Sequence, residues 1–211
     1  MDLTYVAVAL VMLVDVSGSI DTREYDLQRG GIVAAFEDRG VQKAIWQQQA
    51  VAVTVIEWSD VQRTVVPWRI LKDADGAIRF ATEVAAIKRS SAGGTHLGDA
   101  IVVGIESFSA CGCTPERRVL DVSGDGRSNG GKTSVPAARA VAEAAEVVIN
   151  GLPILGDPTE PNLDEYYRQE VVSGGGFAVV AADFSDFARA LRQKLAREIA
   201  SADTVRAPSI P

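Results

Sequence analysis

The sequence predicts an α/β domain: a doubly wound, mostly parallel six-stranded sheet with one antiparallel edge strand and helices on both faces. Three observations predict it. Short, valine-rich apolar runs alternate with helical stretches, the pattern of a parallel sheet built from right-handed crossovers. One pair of runs is joined too tightly for a crossover and must form a hairpin. The chain has 211 residues, 47% of them hydrophobic, enough for one sizeable core. Residues 1–200 are read as that domain and residues 201–211, with Pro208 and Pro211, as a tail.

The first strand is the apolar run at residues 7–14. It is far shorter than the roughly 20 residues of a spanning helix. It also runs directly into Asp15, which argues against a signal peptide. Asp21 with Glu24 forms an acidic capping box that opens a helix to about residue 39, with Tyr25, Ile32, Val33 and Phe36 on one face. Gly30-Gly31 inside it costs about 1 kcal/mol per glycine, a cost that close packing on the sheet would offset. Residues 50–58 form the second strand and 61–71 the third, linked through Ser59-Asp60. Pro67 suits an edge strand, because it donates nothing to a ladder.

Asp73 caps a helix over residues 74–88, and the flexible loop 90–96 enters another at 97–108. The fourth strand spans 118–123 and ends in Gly124-Asp125-Gly126. A helix over 133–146 tolerates Pro136 only in its first turn. The fifth strand spans 146–154, a short helix 163–172, and the sixth strand 177–182. Phe184, Phe187, Leu191, Leu195 and Ile199 then make the apolar stripe of a last helix that should dock on the sheet.

Net charge is −7, with 28 acidic and 21 basic residues. That balance argues against nucleic acid and anionic membranes as partners and suits cation binding. Cys111 and Cys113 with the lone His96 are too few for a zinc site, and are as compatible with a local disulfide as with two free thiols.

Oxygen-bearing side chains concentrate in three loops that such a sheet gathers on one edge. Asp15, Ser17 and Ser19 follow the first strand, Thr95 sits in a Gly-Gly-Thr turn, and Asp125 follows the fourth strand. Ligands of open α/β sheets bind at the C-terminal ends of the strands. Oxygen-only donors suit a hard cation such as Mg2+, Mn2+ or Ca2+. An incomplete shell would accept water or an acidic side chain from a partner.

These motifs, in this order, resemble the metal-ion-dependent adhesion site (MIDAS) of von Willebrand factor type A domains, over nearly the whole chain. Asp121-Val122-Ser123-Gly124-Asp125-Gly126, Ile149-Asn150-Gly151-Leu152 and the segment 187–199 resemble, more closely, an uncharacterised bacterial family of secreted type A-like domains. The resemblance implies that Ser17 and Ser19 bind the metal through their hydroxyls. Thr95 would bind directly in a ligand-engaged state, and Asp15 and Asp125 directly or through water. It further implies non-catalytic binding of a protein ligand that offers a Glu or Asp, a periplasmic or secreted location, and a last helix able to couple to ligand. His96 departs from the pattern; it reads as a rim residue, or as a contact to an acidic ligand.

One rival motif comes from another class. Gly126 to Thr133 matches the P-loop pattern between a strand and a helix, which would make the chain a nucleotide-binding enzyme. Asp125 at the mouth of the phosphate cradle, Pro136 in the following helix and the idle Ser17, Ser19 and Thr95 count against it. Asp157, Glu160 and Asp164 offer a second acidic site against an ordinary polar loop, and Glu165 with Glu170 reads as a solvated helix face.

Overall fold

A computed structural model describes residues 3–200. Five strands form one sheet: β1 (Thr4–Asp15), β2 (Val51–Trp58), β3 (Gln62–Leu71), β4 (Cys113–Gly124) and β5 (Val147–Pro153), in the order β3-β2-β1-β4-β5. β1 pairs in parallel with β2 and β4, and β4 with β5, while β3 runs antiparallel at the edge. Pro67 lies where the β2–β3 register slips, between Val66 and Arg69, so its missing N–H falls in a bulge of the edge strand.

The expected sixth strand is not one. Residues 177–182 touch β5 through two isolated bridges, Gly151 with Ala178 and Ile154 with Ala181. Both bridges keep one register, and the ladder between them is interrupted at Pro153, which has no N–H to donate and only accepts, from the Ala181 amide at 3.0 Å. The sheet therefore has five strands.

Alternation along β1 divides the core. Val8, Leu10, Met12 and Val14 face a layer made by α1 (Thr22–Glu37), α2 (Arg39–Gln47), α3 (Ala74–Ala85) and α7 (Phe187–Ala200). Val11 and Leu13 face the other layer, made by α4 (Leu97–Ser107), α5 (Val135–Ala144) and α6 (Leu163–Tyr166), which continues as a π-helical turn at Tyr167–Val171. The Asp21–Glu24 capping box forms as the sequence predicts, and Pro136 sits in the first turn of α5. The α2 helix has no counterpart among the elements expected from sequence; Asp38 starts it by accepting from the amides of Gly40 and Val41.

Gly31 is needed, though not for the sheet. A Cβ there would come within 2.6 Å of Phe187 on α7, so the glycine lets α1 and α7 close on each other. Gly30 has no such neighbour. The predicted stripe on α7 holds: Phe187, Leu191, Leu195 and Ile199 are buried, and Phe184 packs against the same core. The tail at 201–211 lies outside the described residues. Cys111 and Cys113 are joined as a disulfide, with Cα atoms 5.2 Å apart, at the edge of the sheet opposite the C-terminal end of β1.

Candidate metal centre

Asp15 ends β1, and Asp125 follows the last residue of the neighbouring parallel strand β4. Their crossovers lead to opposite sides, so the two loops open a crevice where ligands of open sheets bind. Asp15 is fully buried. Its Oδ1 accepts from the Ser17 amide at 2.8 Å, which folds the loop back over the strand end. Ser17 and Ser19 hydroxyls lie 3.3 Å apart, and Ser19 Oγ donates to Asp125 Oδ1 at 2.9 Å. Four of the five predicted donors thus form one connected cluster.

Thr95 makes no hydrogen bond to those four. Its loop is brought alongside by the Gly18 amide, which donates to the Gly93 carbonyl at 2.8 Å. Asn129 then fixes Thr95 from the other side: its Oδ1 accepts from the Thr95 amide at 2.9 Å, and its Nδ2 donates to Thr95 Oγ1 at 3.4 Å. The Thr95 carbonyl accepts from the Asn129 amide and from Ser128 Oγ. Ser128 and Asn129 belong to the segment that matches a P-loop.

Three supports of the cluster were missed from sequence. Arg89 donates to the carbonyls of Val16 and Ser17, both at 2.8 Å, and Gln28 donates to the Asp15 carbonyl at 3.1 Å. Asn129 is the third. A lone Arg or Gln in a helix or loop carries no motif, so only the folded chain reveals them.

The P-loop geometry does not form. The helix after it starts at Val135 with Ser134 as its cap, beyond Lys132 and Thr133. The amides of Lys132 and Thr133, which a phosphate would need, instead donate to the Asp99 carboxylate at 2.8–3.1 Å. Burial raises Asp99, but those amides more than offset it and hold its pKa below the ordinary value. The anion place is taken by the protein's own carboxylate.

The second acidic site does not assemble either. Glu160 pairs with Arg127, Asp164 with Arg168, and Asp157 accepts from Thr159. Among the described residues no group of three His, Cys, Asp or Glu side chains gathers as a metal cluster. His96 occupies the start of α4 and is half-buried, its ring filling the space beside Gly94 and Gly130.

Electrostatics set the four-residue cluster apart. Burial, and then the charge of Asp125, push the Asp15 carboxyl up to about 8. Burial also raises Asp125, against the Ser19 hydrogen bond. Asp15 Oδ2 is buried without a hydrogen-bond partner. Two adjacent buried acids cannot both ionise cheaply without a cation. The residues present fit one: carboxylate and hydroxyl oxygens converge, and one buried carboxylate oxygen is unpaired. A groove of about 450 Å³ beside Ser19 and Asp125 leaves room for a ligand to approach.

The family model described as "Protein of unknown function (DUF1194)" matches residues 5–203, and the chain belongs to that family. No curated protein matches it in sequence. Among solved structures it is similar to proximal thread matrix protein 1 (PTMP1) from the mussel byssus, with a TM-score of 0.68 and 17% identity over 92% of this chain. Another structure of that mussel protein, at TM-score 0.61 and 12% identity over 93% of this chain, is described as having a zinc-occupied MIDAS motif. The chain covers 47% and 46% of those two chains, about half their length. It is also similar to the conserved hypothetical protein BatB from Bacteroides thetaiotaomicron, at TM-score 0.59 and 21% identity, covering 92% of this chain and 100% of that one. These likenesses agree with a von Willebrand factor A-like or Rossmann-like α/β fold. Among the described residues no helix is long and apolar enough to cross a membrane.

Proposed function

We propose that this domain binds one divalent cation through Asp15, Ser17, Ser19, Thr95 and Asp125, and uses it to recognise an acidic group on a protein ligand, without chemistry. The observation that carries the reading is the pair of buried acids, Asp15 and Asp125, linked through Ser17 and Ser19 and left with an unpaired carboxylate oxygen. A bound dication would supply the missing positive charge and a Lewis-acidic position for an incoming Glu or Asp. Ser17 and Ser19 contribute hydroxyl oxygens, and Asn129 keeps Thr95 beside them. Donors of this hard, oxygen-only kind favour Mg2+, with Mn2+ and Ca2+ as alternatives. The zinc-occupied motif described for the mussel protein supports a divalent-metal role at a site of this type.

A periplasmic or secreted setting accords with similarity to the pilus adhesin SpaC from Lactobacillus rhamnosus GG, at TM-score 0.62 and 17% identity over 92% of this chain and 30% of that one. Calorimetric titration of metal-stripped protein with Mg2+ and Mn2+, with and without ATP, tests the reading. Saturable binding, lost in Asp15→Ala and indifferent to ATP, is expected. Tight binding of Mg-ATP with no binding of the cation alone would overturn it.

A further inference from the structure

Around Gly124, the last residue of β4, three buried polar groups meet without partners. Asp15 Oδ2, Tyr167 Oη and Trp58 Nε1 each lack a hydrogen bond. A Cβ on Gly124 would sit 2.7 Å from Asp15 Oδ2, 2.7 Å from Tyr167 Oη and 3.2 Å from Trp58 Cζ2, the ring carbon two bonds from Nε1. Only a residue without a side chain leaves room for them. Tyr167 and Trp58 are fully buried. Buried polar groups are almost always satisfied, and an orphan costs about 1–3 kcal/mol. Three orphans at one point, two of them donors and one an acceptor, therefore call for an explanation.

Tyr167 is also the first residue of the π-helical turn, in which the Val172 amide reaches back to the Tyr167 carbonyl at 2.9 Å. Such wide turns recur at functional sites. An apolar residue would fill this core position without carrying an unpaired hydroxyl into it.

Resting on the metal-site reading above, we propose that Tyr167 and Trp58 are positioning residues for the cation. The Tyr167 hydroxyl and the Trp58 indole N–H donate to Oδ2 of the ionised Asp15 carboxylate, directly or through one water. The Ser17 amide already holds the other oxygen, Oδ1, so these donors fix the carboxylate's orientation and leave its remaining lone pairs to face the cation. An ionised carboxylate away from water needs such donors, and groups that orient a metal ligand typically change affinity by about 10–100-fold.

The test is a Mg2+ titration by calorimetry, with thermal melts of the metal-free and Mg2+-saturated forms, on wild type, Asp15→Ala, Tyr167→Phe and Trp58→Phe. Tyr167→Phe should weaken Mg2+ binding by about 10–100-fold. Its metal-free Tm should hold or rise, because the hydroxyl it removes bonds to nothing there. Trp58→Phe should weaken binding in the same direction, measured against its own metal-free form. A purely structural role would show the reverse pattern, a lower metal-free Tm with unchanged affinity. If wild type binds Mg2+, Asp15→Ala abolishes it and Tyr167→Phe binds like wild type, the positioning role is overturned while the metal site stands. If wild type binds no cation, the metal-site reading fails and this inference fails with it.

Discussion

Two pairs of buried acids each have one member on the same stretch of chain, Asp121 and Asp125, four residues apart, and the pairs are treated in opposite ways. Asp121, within β4, shares the core with Glu198 on α7, and Lys194 reaches both, at 2.7 Å and 2.6 Å. Asn150 on β5 adds a hydrogen bond to Glu198 at 2.9 Å. Asp125, just beyond β4, shares its site with Asp15, and there the neighbours are hydroxyls and amides. The first pair carries its own cation and serves to join α7 to the sheet. The second is left to take a cation from solution. Buried acids that are to stay ionised need positive charge; which of the two sources the fold provides separates a structural pair from a candidate binding site.

The largest expected effect falls on the first pair. Lys194→Ala leaves two buried acids without their ammonium and should lower stability by about 3–5 kcal/mol in urea denaturation. A loss below about 1 kcal/mol would mean that the Lys194 ammonium is not what holds this pair in the core, and the contrast between the two pairs would dissolve.

Next comes Gly124→Ala, which drives a methyl group toward Asp15 Oδ2 and Tyr167 Oη. It should cost about 1–3 kcal/mol as overpacking and weaken Mg2+ binding as well. Unchanged affinity together with unchanged stability would show that the three orphaned groups are loosely held.

A smaller, pH-dependent effect distinguishes the pairs. Burial and the neighbouring Asp121 raise Glu198 to about 8 from an ordinary 4.5, and Asp15 is likewise raised to about 8 from 3.8. A raised folded pKa gives stability that is fully present below the unfolded value and is lost as pH rises through the folded one. Metal-free protein should therefore lose stability between about pH 4 and 8. Glu198→Gln and Asp15→Asn should each flatten part of that decline. Saturating Mg2+ should cancel the Asp15 part and leave the Glu198 part untouched, as melts at pH 5 and 8 would reveal. A decline that Mg2+ leaves whole would contradict the assignment of the open pair.

The smallest effect is expected at Lys132, which is exposed and whose amide, not its side chain, holds Asp99. Lys132→Ala should change stability by less than about 0.5 kcal/mol and leave Mg2+ binding intact. Loss of nucleotide binding in this variant would revive the P-loop reading.

Much of this was legible from local pattern. A capping box, a hairpin link too short for a crossover, a Pro67 confined to an edge and a helical stripe ending at Ile199 are short-range signals, and each formed where expected. The predicted Asp15, Ser17, Ser19 and Asp125 did come together, because strand order alone gathers loops on one edge. What the sequence could not carry was pairing across distance. Residues 177–182 have the composition of a strand and keep one register beside β5, yet Pro153 lacks the N–H that a continuous ladder needs there. Lys194 and Glu198 lie outside the apolar stripe predicted for the last helix, yet both are buried. The segment that spells a P-loop became a clamp on Thr95 and Asp99 because its amides met a nearer carboxylate. By itself, then, the sequence determined most of the strands and helices, though not α2 or the fate of residues 177–182, and which side chains could meet a hard cation. Tertiary structure alone decided which buried acids are neutralised from within and which are left open, because that depends on whether a lysine from a distant helix reaches them.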